Sequence, residues 1–355
     1  MKALSEVNLE GLQERFTAWG FKASHASRLL RDYYANAGIV AWPTLKLPRG
    51  LRDRLQAELS LMASAPVARQ VAEDGTIKLL LKLADGRTVE SVVMPAWRDD
   101  RVAGCLSSQV GCALACDFCA TAQSGFARNL SAGEMVEQFL HLRREAQAIG
   151  RRLQTVVFMG MGEPLLNLEN VLEAVRRIAG GEMGALGWRQ ITVSTVGIVP
   201  GIGALAAASL NVNLAVSLHA PDDATRAQLI PSGRRFGVGE ILAAADRFQA
   251  KNKGRPISIQ YCLLQGVNDS PAQARQLAAL LAGRRLHVNL LHYNPTGVSL
   301  TGRTYEASPR AAAAAFMDEL RSRRVVAHFR RPRGRDIDAA CGQLRRGVAG
   351  GAAFE

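Results

Sequence analysis

The stretch CLSSQVGCALACDFCATAQSGFARNL, Cys105 to Leu130, carries four cysteines, of which Cys112, Cys116 and Cys119 stand at C-x-x-x-C-x-x-C spacing. One short loop can therefore turn three thiolates toward one inorganic cluster without help from distant chain. A 4Fe-4S cube normally takes four cysteine ligands, so three would leave one iron open to hold a substrate or cofactor. Zinc sites usually pair C-x-x-C with a second pair ~12 to 20 residues on. No second pair exists here, because Cys105, Cys262 and Cys341 are singletons. A disulfide or a chance grouping of buried thiols is the remaining alternative, and the spacing argues against it.

From residue 102 onward, on both sides of the loop, apolar runs alternate with helical periods. Strands are expected near 102–108, 153–159, 190–195, 212–218, 256–264 and 286–292, and helices near 131–149, 167–180, 200–209, 238–252, 270–283 and 308–323. Apolar strands separated by helix-length segments imply an α/β fold with a parallel sheet and right-handed crossovers. Such units suit a partial (β/α)6 barrel, and periodicity alone leaves a flat doubly wound sheet open. In either layout the loops after the strand C-termini form the site.

Polar residues collect at those ends. TVVFMGMGEP places Gly160, Gly162 and Glu163 after an apolar strand, so backbone can approach a ligand and a carboxylate can meet an ammonium. TVSTVGIVP offers Ser194, VNLAVSLHAP offers Ser217, Leu218 and His219, and LLHYNP offers Asn294. Each alone reads as a cap, a turn former or a structural histidine; their shared side of the sheet singles them out. Cys341, in GRDIDAACGQL, and Cys105 are lone cysteines of a kind most often inert. Cys262, inside ISIQYCLL, reads as a small buried hydrophobe with no role.

Net charge of +13 and a pI near 10 point to a polyanionic partner. Arg321 to Arg346 concentrates nine arginines against two acids, Asp336 and Asp338, which favours nucleic acid over a merely solubilising surface. No run of ~18 apolar residues indicates a membrane span, and the polar start MKALSEVNLEGLQERF shows no secretory signal. A cysteine cluster motif suits a reducing, cytoplasmic setting.

Upstream, residues 1–62 read as a helical module. Leu9, Leu12, Phe16 and Trp19 recur at helical spacing before Gly20, and SHASRLLRDYYANAG and LPRGLRDRLQAEL repeat the amphipathic pattern. The module is either an RNA-docking domain or packing for the rest of the chain. Residues 63–98 switch to period two, and TIKLLLKLADGRTVESVVMP reads as a hairpin extension turning at Asp85-Gly86 and carrying Glu90. Residues 99–330 form the core, and 331–355 a C-terminal segment.

The cysteine loop, with Phe118 just before its last cysteine, resembles the signature of the radical S-adenosylmethionine (SAM) enzymes. The wider string SSQVGCALACDFCATAQSGFARNL is similar to the RlmN and Cfr group, the dual-cysteine RNA adenine methyltransferases, and the likeness runs from Glu90 to Leu344, about seven tenths of the chain. TAQSGF and GMGEPLLN look like the RlmN side, whereas Val196 and His292-Tyr293 look like the Cfr side; a short insertion sits around Trp97 and Arg98.

The resemblance implies an open radical-SAM barrel and a 4Fe-4S cluster on Cys112, Cys116 and Cys119. It also implies SAM contacts from Gly162, Glu163, Ser194, Ser217, Leu218, His219 and Asn294. Glu90 takes the place of an acid near the target adenine. Cys341 would be methylated by one SAM and would deliver the carbon to the ring as a radical made with a second SAM. Cys105 would then remove the ring proton and form a transient disulfide with Cys341. The implied substrate is carbon 2 of an adenosine in 23S rRNA at the peptidyl transferase centre, with tRNA a second candidate and a flavodoxin-like low-potential donor as partner to a monomer. Two rival readings are carbon-8 methylation, the resistance outcome of Cfr, and a basic RNA-binding protein whose cluster is structural or redox-sensing.

Overall fold

The computed structural model describes residues 2–344; Met1 and the end of the C-terminal segment, 345–355 with Arg345 and Arg346, lie outside the described residues. Ten strands form one sheet whose spatial order follows the chain. They are β1 (Ala65–Val71), β2 (Ile77–Lys82), β3 (Thr88–Pro95), β4 (Arg101–Leu106), β5 (Arg152–Phe158), β6 (Ile191–Thr195), β7 (Asn213–Ser217), β8 (Ile257–Leu263), β9 (Leu286–His292) and β10 (Ala327–Phe329). From β4 to β10 every neighbouring pair is parallel. A doubly wound sheet reverses direction at a switch point. This sheet never does, so its parallel part is the open barrel.

Helices Ala132–Ala148, Leu168–Ala179, Val199–Ala207, Val238–Lys251, Pro271–Leu281 and Arg310–Ser322 make the connections. Their starts are written in the sequence. Ser131 and Glu134 close a reciprocal capping box, as do Ser270 and Gln273 ahead of Pro271. A short additional helix, Asp223–Leu229, follows β7.

The hairpin extension is continuous with the barrel. β1 to β3 pair antiparallel, and β3 pairs antiparallel with β4. The helical module (Leu9–Ala18, His25–Ala35, Arg49–Glu58) packs on the outer helix Ala132–Ala148. Its key is Glu137, 1 % exposed, whose carboxylate accepts from Ser5 Oγ at 2.5 Å, Ala63 N at 2.7 Å and Ser64 N at 2.6 Å. No helix among the described residues is long and apolar enough to cross a membrane.

Candidate active site

All the parallel strands end on one side, and their C-terminal ends line a single cavity. Gly160 N–H donates to Leu106 O at 3.0 Å and Ser108 N–H to Met161 O at 2.8 Å, so the turn after β5 lies against the chain leaving β4. A Cβ on Gly162, where φ is +95°, would come within 2.5 Å of Gln109 Cβ, and one on Gly160 within 2.8 Å of the Leu106 backbone. Those two glycines are thus required by the close approach of two chain segments, whatever ligand lies above them.

Glu163 emerges from this turn 2 % exposed. Its oxygens accept Leu165 N–H at 3.0 Å and Val196 N–H at 2.9 Å. Burial pushes its pKa up to about 7 against the pull of those bonds. A carboxylate has about four lone-pair sites, so the group retains capacity for a cation, whose charge would favour the ionised form.

Ser194, Ser217, His219 and Asn294 line the same cavity. Leu218 does not; its side chain is fully buried in the core. His219 takes a positive φ of 59° and accepts Cys262 N–H on Nδ1 at 2.9 Å, which puts its own proton on Nε2. Burial, helped by Arg226, drops its pKa to about 3, so the ring is neutral. It meets Phe118 edge-on at 5.0 Å between centroids and so braces the cysteine loop. Asn294 is engaged by the C-terminal segment: its Oδ1 accepts Arg335 Nε at 2.8 Å and its Nδ2 donates to Cys341 O at 3.4 Å.

The cysteine loop sits between two short antiparallel strands, Gln109–Gly111 and Phe126–Asn129. Asp117 fastens it by accepting Thr301 N–H at 3.0 Å, Thr301 Oγ1 at 2.6 Å and Tyr305 Oη at 2.7 Å. Cys112, Cys116 and Cys119 all face the cavity. Burial pushes all three thiols up, Cys112 to about 12, and neighbouring Cys119 and Cys112 add to the effect on Cys116. Three buried or half-buried thiols on one loop that oppose ionisation fit a cationic iron–sulfur body set among them. Among the described residues no three such side chains form a ready site for a single metal ion.

Cys105, at the end of β4, and Cys341 line the same cavity although 236 positions separate them. Cys105 is 7 % exposed, and burial, followed by the proximity of Cys341, raises its pKa to about 12. Cys341 is exposed, on a strap whose residues 330–333 and 339–342 line the cavity. The strap is tied to the cysteine loop through Ala120 N–H to Gly342 O at 2.7 Å and Thr121 Oγ1 to Leu344 O at 2.8 Å. Toward the hairpin it is tied through Glu73 N–H to Asp336 Oδ2 at 2.9 Å and Lys78 Nζ to Asp338 O at 3.4 Å. Cys262 also reaches this cavity, where burial and then Cys341 raise its thiol well above the usual range.

Glu90 stands apart. It is 1 % exposed, outside the cavity lining, and pairs with Lys78 Nζ at 3.2 Å across neighbouring strands. Lys78 therefore joins Glu90 to the strap that carries Cys341. Two residues at the site carried no sequence signal. Gln260 lines the cavity with its Oε1 unpartnered, and Arg226, 1 % exposed, donates to the backbone at the ends of β6 and β7.

Comparison with known proteins bears on this geometry. The Radical SAM superfamily pattern matches residues 106–278. A "Probable dual-specificity RNA methyltransferase RlmN 1" of Opitutus terrae is 67% identical over 343 residues, covering 97% of this chain and 96% of that one. The "Probable dual-specificity RNA methyltransferase RlmN" of Thermus thermophilus is 43% identical over 337 residues, 95% of this chain and 92% of the relative. The crystal structure of a radical SAM methyltransferase from Sphaerobacter thermophilus superposes with a TM-score of 0.91 at 42% identity, covering 98% of this chain and 100% of that chain. Where the sequence pointed partly toward Cfr and partly toward RlmN, near full-length identity decides: the chain belongs to the RlmN family within the radical SAM superfamily.

Proposed function

We propose that this chain methylates carbon 2 of an adenosine in 23S rRNA at the peptidyl transferase centre, and of a tRNA as a second substrate, through a methylated Cys341. The observation that carries the reading is the convergence of Cys105 and Cys341 on one cavity with the three loop thiols and the strand-end residues. Family membership makes the protein a radical SAM RNA methyltransferase. When bound, SAM and a 4Fe-4S cluster supply the methyl group and a one-electron source of radical chemistry.

The chain's own residues supply the rest. Cys112, Cys116 and Cys119 hold the cluster. Glu163 takes the ammonium of SAM, Gln260 offers an unpartnered acceptor beside it, and Ser194, Ser217, the backbone at Leu218, His219 and Asn294 complete the pocket. Cys341, exposed and nucleophilic as a thiolate, carries the transferred carbon as a thioether. Cys105, acting as a thiolate, takes the ring proton, and its sulfur then bonds to that of Cys341 as the carbon–sulfur bond of the adduct breaks and the freed carbon is protonated to the methyl group. Two SAM molecules per turnover follow, one as methyl donor and one as radical source. Glu90 acts through Lys78 on the strap. The helical module docks RNA from the barrel's outer side. The protein works as a cytoplasmic monomer fed by a flavodoxin-like low-potential donor.

Anaerobic turnover on unmodified 23S rRNA, digested and analysed by mass spectrometry, is expected to give 2-methyladenosine. An 8-methyladenosine product would overturn the regiochemistry. Free-protein SAM affinity is expected to rise with pH through about 7, because the Glu163 carboxyl is protonated below that value and a neutral acid cannot pair with the ammonium. Hydrogen bonds to charged groups contribute ~1.5–3 kcal/mol. Glu163→Gln should therefore weaken SAM binding roughly tenfold or more at pH 8 and flatten the profile, measured by equilibrium dialysis under anaerobic conditions.

A further inference from the structure

Trp97 is 91 % exposed, the most solvent-open of the large apolar side chains among the described residues. Tryptophan is large, usually well covered and enriched at interfaces, so an indole open to water offers a ring on which a partner can stack. It sits on the connection between β3 and β4, three positions after Met94, which lines the cavity wall. Arg331 of the strap lines the same cavity and places its guanidinium carbon 6.0 Å from the Trp97 ring centroid. That distance is the outer limit of a cation–π contact and leaves the ring face accessible.

The charge around this pair is uneven. Arg98 and Arg101 share Asp100 at 3.3 and 3.5 Å, so the connection is locally neutralised. Arg331 forms no ion pair among the described residues. An exposed indole beside an uncompensated guanidinium, on the rim of a site in a chain of net charge +13, suits an unstacked base with its phosphate. We propose that Trp97 and Arg331 form a platform at the cavity mouth on which an unpaired base flanking the target adenosine stacks, with Arg331 meeting the adjoining phosphate.

The proposal rests on the RNA substrate assigned above. The test measures, by filter binding, the affinity of the reconstituted full chain for unmodified 23S rRNA across a series of salt concentrations, beside KM and kcat for methylation. Stacking on an aromatic side chain is worth enough that Trp97→Ala should weaken Kd at least about fivefold and raise KM rather than lower kcat. The salt slope should stay unchanged, because no phosphate contact is lost. Trp97→Phe should restore most of the affinity, and Arg331→Ala should lower the salt slope by about one.

Wild-type affinity in Trp97→Ala, with the wild-type chain binding and methylating the RNA, would overturn the platform and leave the substrate reading intact. Intact RNA binding with slowed reduction by a flavodoxin would overturn it in favour of a protein-docking surface. A wild-type chain that neither binds nor methylates the RNA would overturn the substrate reading and the platform together.

Discussion

On the proposed scheme, Cys341→Ala is expected to abolish methyl transfer to RNA, a loss on the order of 10⁴ or more, because it removes the methyl carrier. The loss would be chemical rather than structural. The strap around Cys341 is held by its backbone, through Gly342 O, Leu344 O and the carbonyl of Cys341 itself, none of which the substitution removes. Cys105→Ala should behave differently. On the same scheme it would leave the methyl carrier and the ring addition in place but remove the proton acceptor and the disulfide partner that release the product, so protein should accumulate covalently joined to RNA. A slow-migrating, nuclease-sensitive band on a denaturing gel would report it. Normal turnover by Cys105→Ala would remove that residue from the reaction, and methylation by Cys341→Ala would end the two-cysteine scheme.

The contrast between these cysteines and the rest of the site shows what a sequence can reveal. Six parallel strands were legible to within two residues at every end, because long apolar runs bounded by polar turns leave little choice of register. β10 was not, since Ala327–Phe329 lies inside RRVVAHFRR, where arginines hide a short strand. The cysteine loop was legible because its spacing is local, and the strand-end residues because a parallel sheet sends every strand's exit to one side. The strap's hold on the cavity was hidden, since it depends on backbone carbonyls in a non-periodic segment. The partnership of Lys78 with Glu90 was hidden for another reason. It is a diagonal cross-strand contact, set by the register that pairs Leu80 with Glu90 and Lys78 with Val92.

Arg226 was the least legible residue of all, and its replacement by methionine is expected to destabilise the fold by roughly 3–5 kcal/mol. An arginine in a seven-residue helix reads as surface, yet here it is 1 % exposed. Its Nη1 donates to Ser217 O at 3.1 Å and Leu218 O at 2.5 Å, and its Nη2 to Val196 O. Burial lowers its pKa to about 10, with Cys116 foremost among the groups that hold it up, so it stays charged at neutral pH. Methionine fills much of the volume but takes the Arg226 donor from one buried and two partly buried carbonyls, each worth ~1–3 kcal/mol before relaxation. Against a total stability of ~5–15 kcal/mol this is a large fraction, readable as a shift of the denaturation midpoint in the cluster-free protein. Arg226→Lys should recover only part of it, because an ammonium cannot span three carbonyls as the guanidinium fork does. The effect should also reach the site. Val196 N–H holds Glu163 while Val196 O is held by Arg226, so loosening one side of that residue loosens the carboxylate assigned to SAM. SAM affinity should therefore fall in Arg226→Lys even where the fold survives. A midpoint shift below about 1 kcal/mol in Arg226→Met would mean that water satisfies the carbonyls, and Arg226 would then be a passenger rather than the tie between the strand ends.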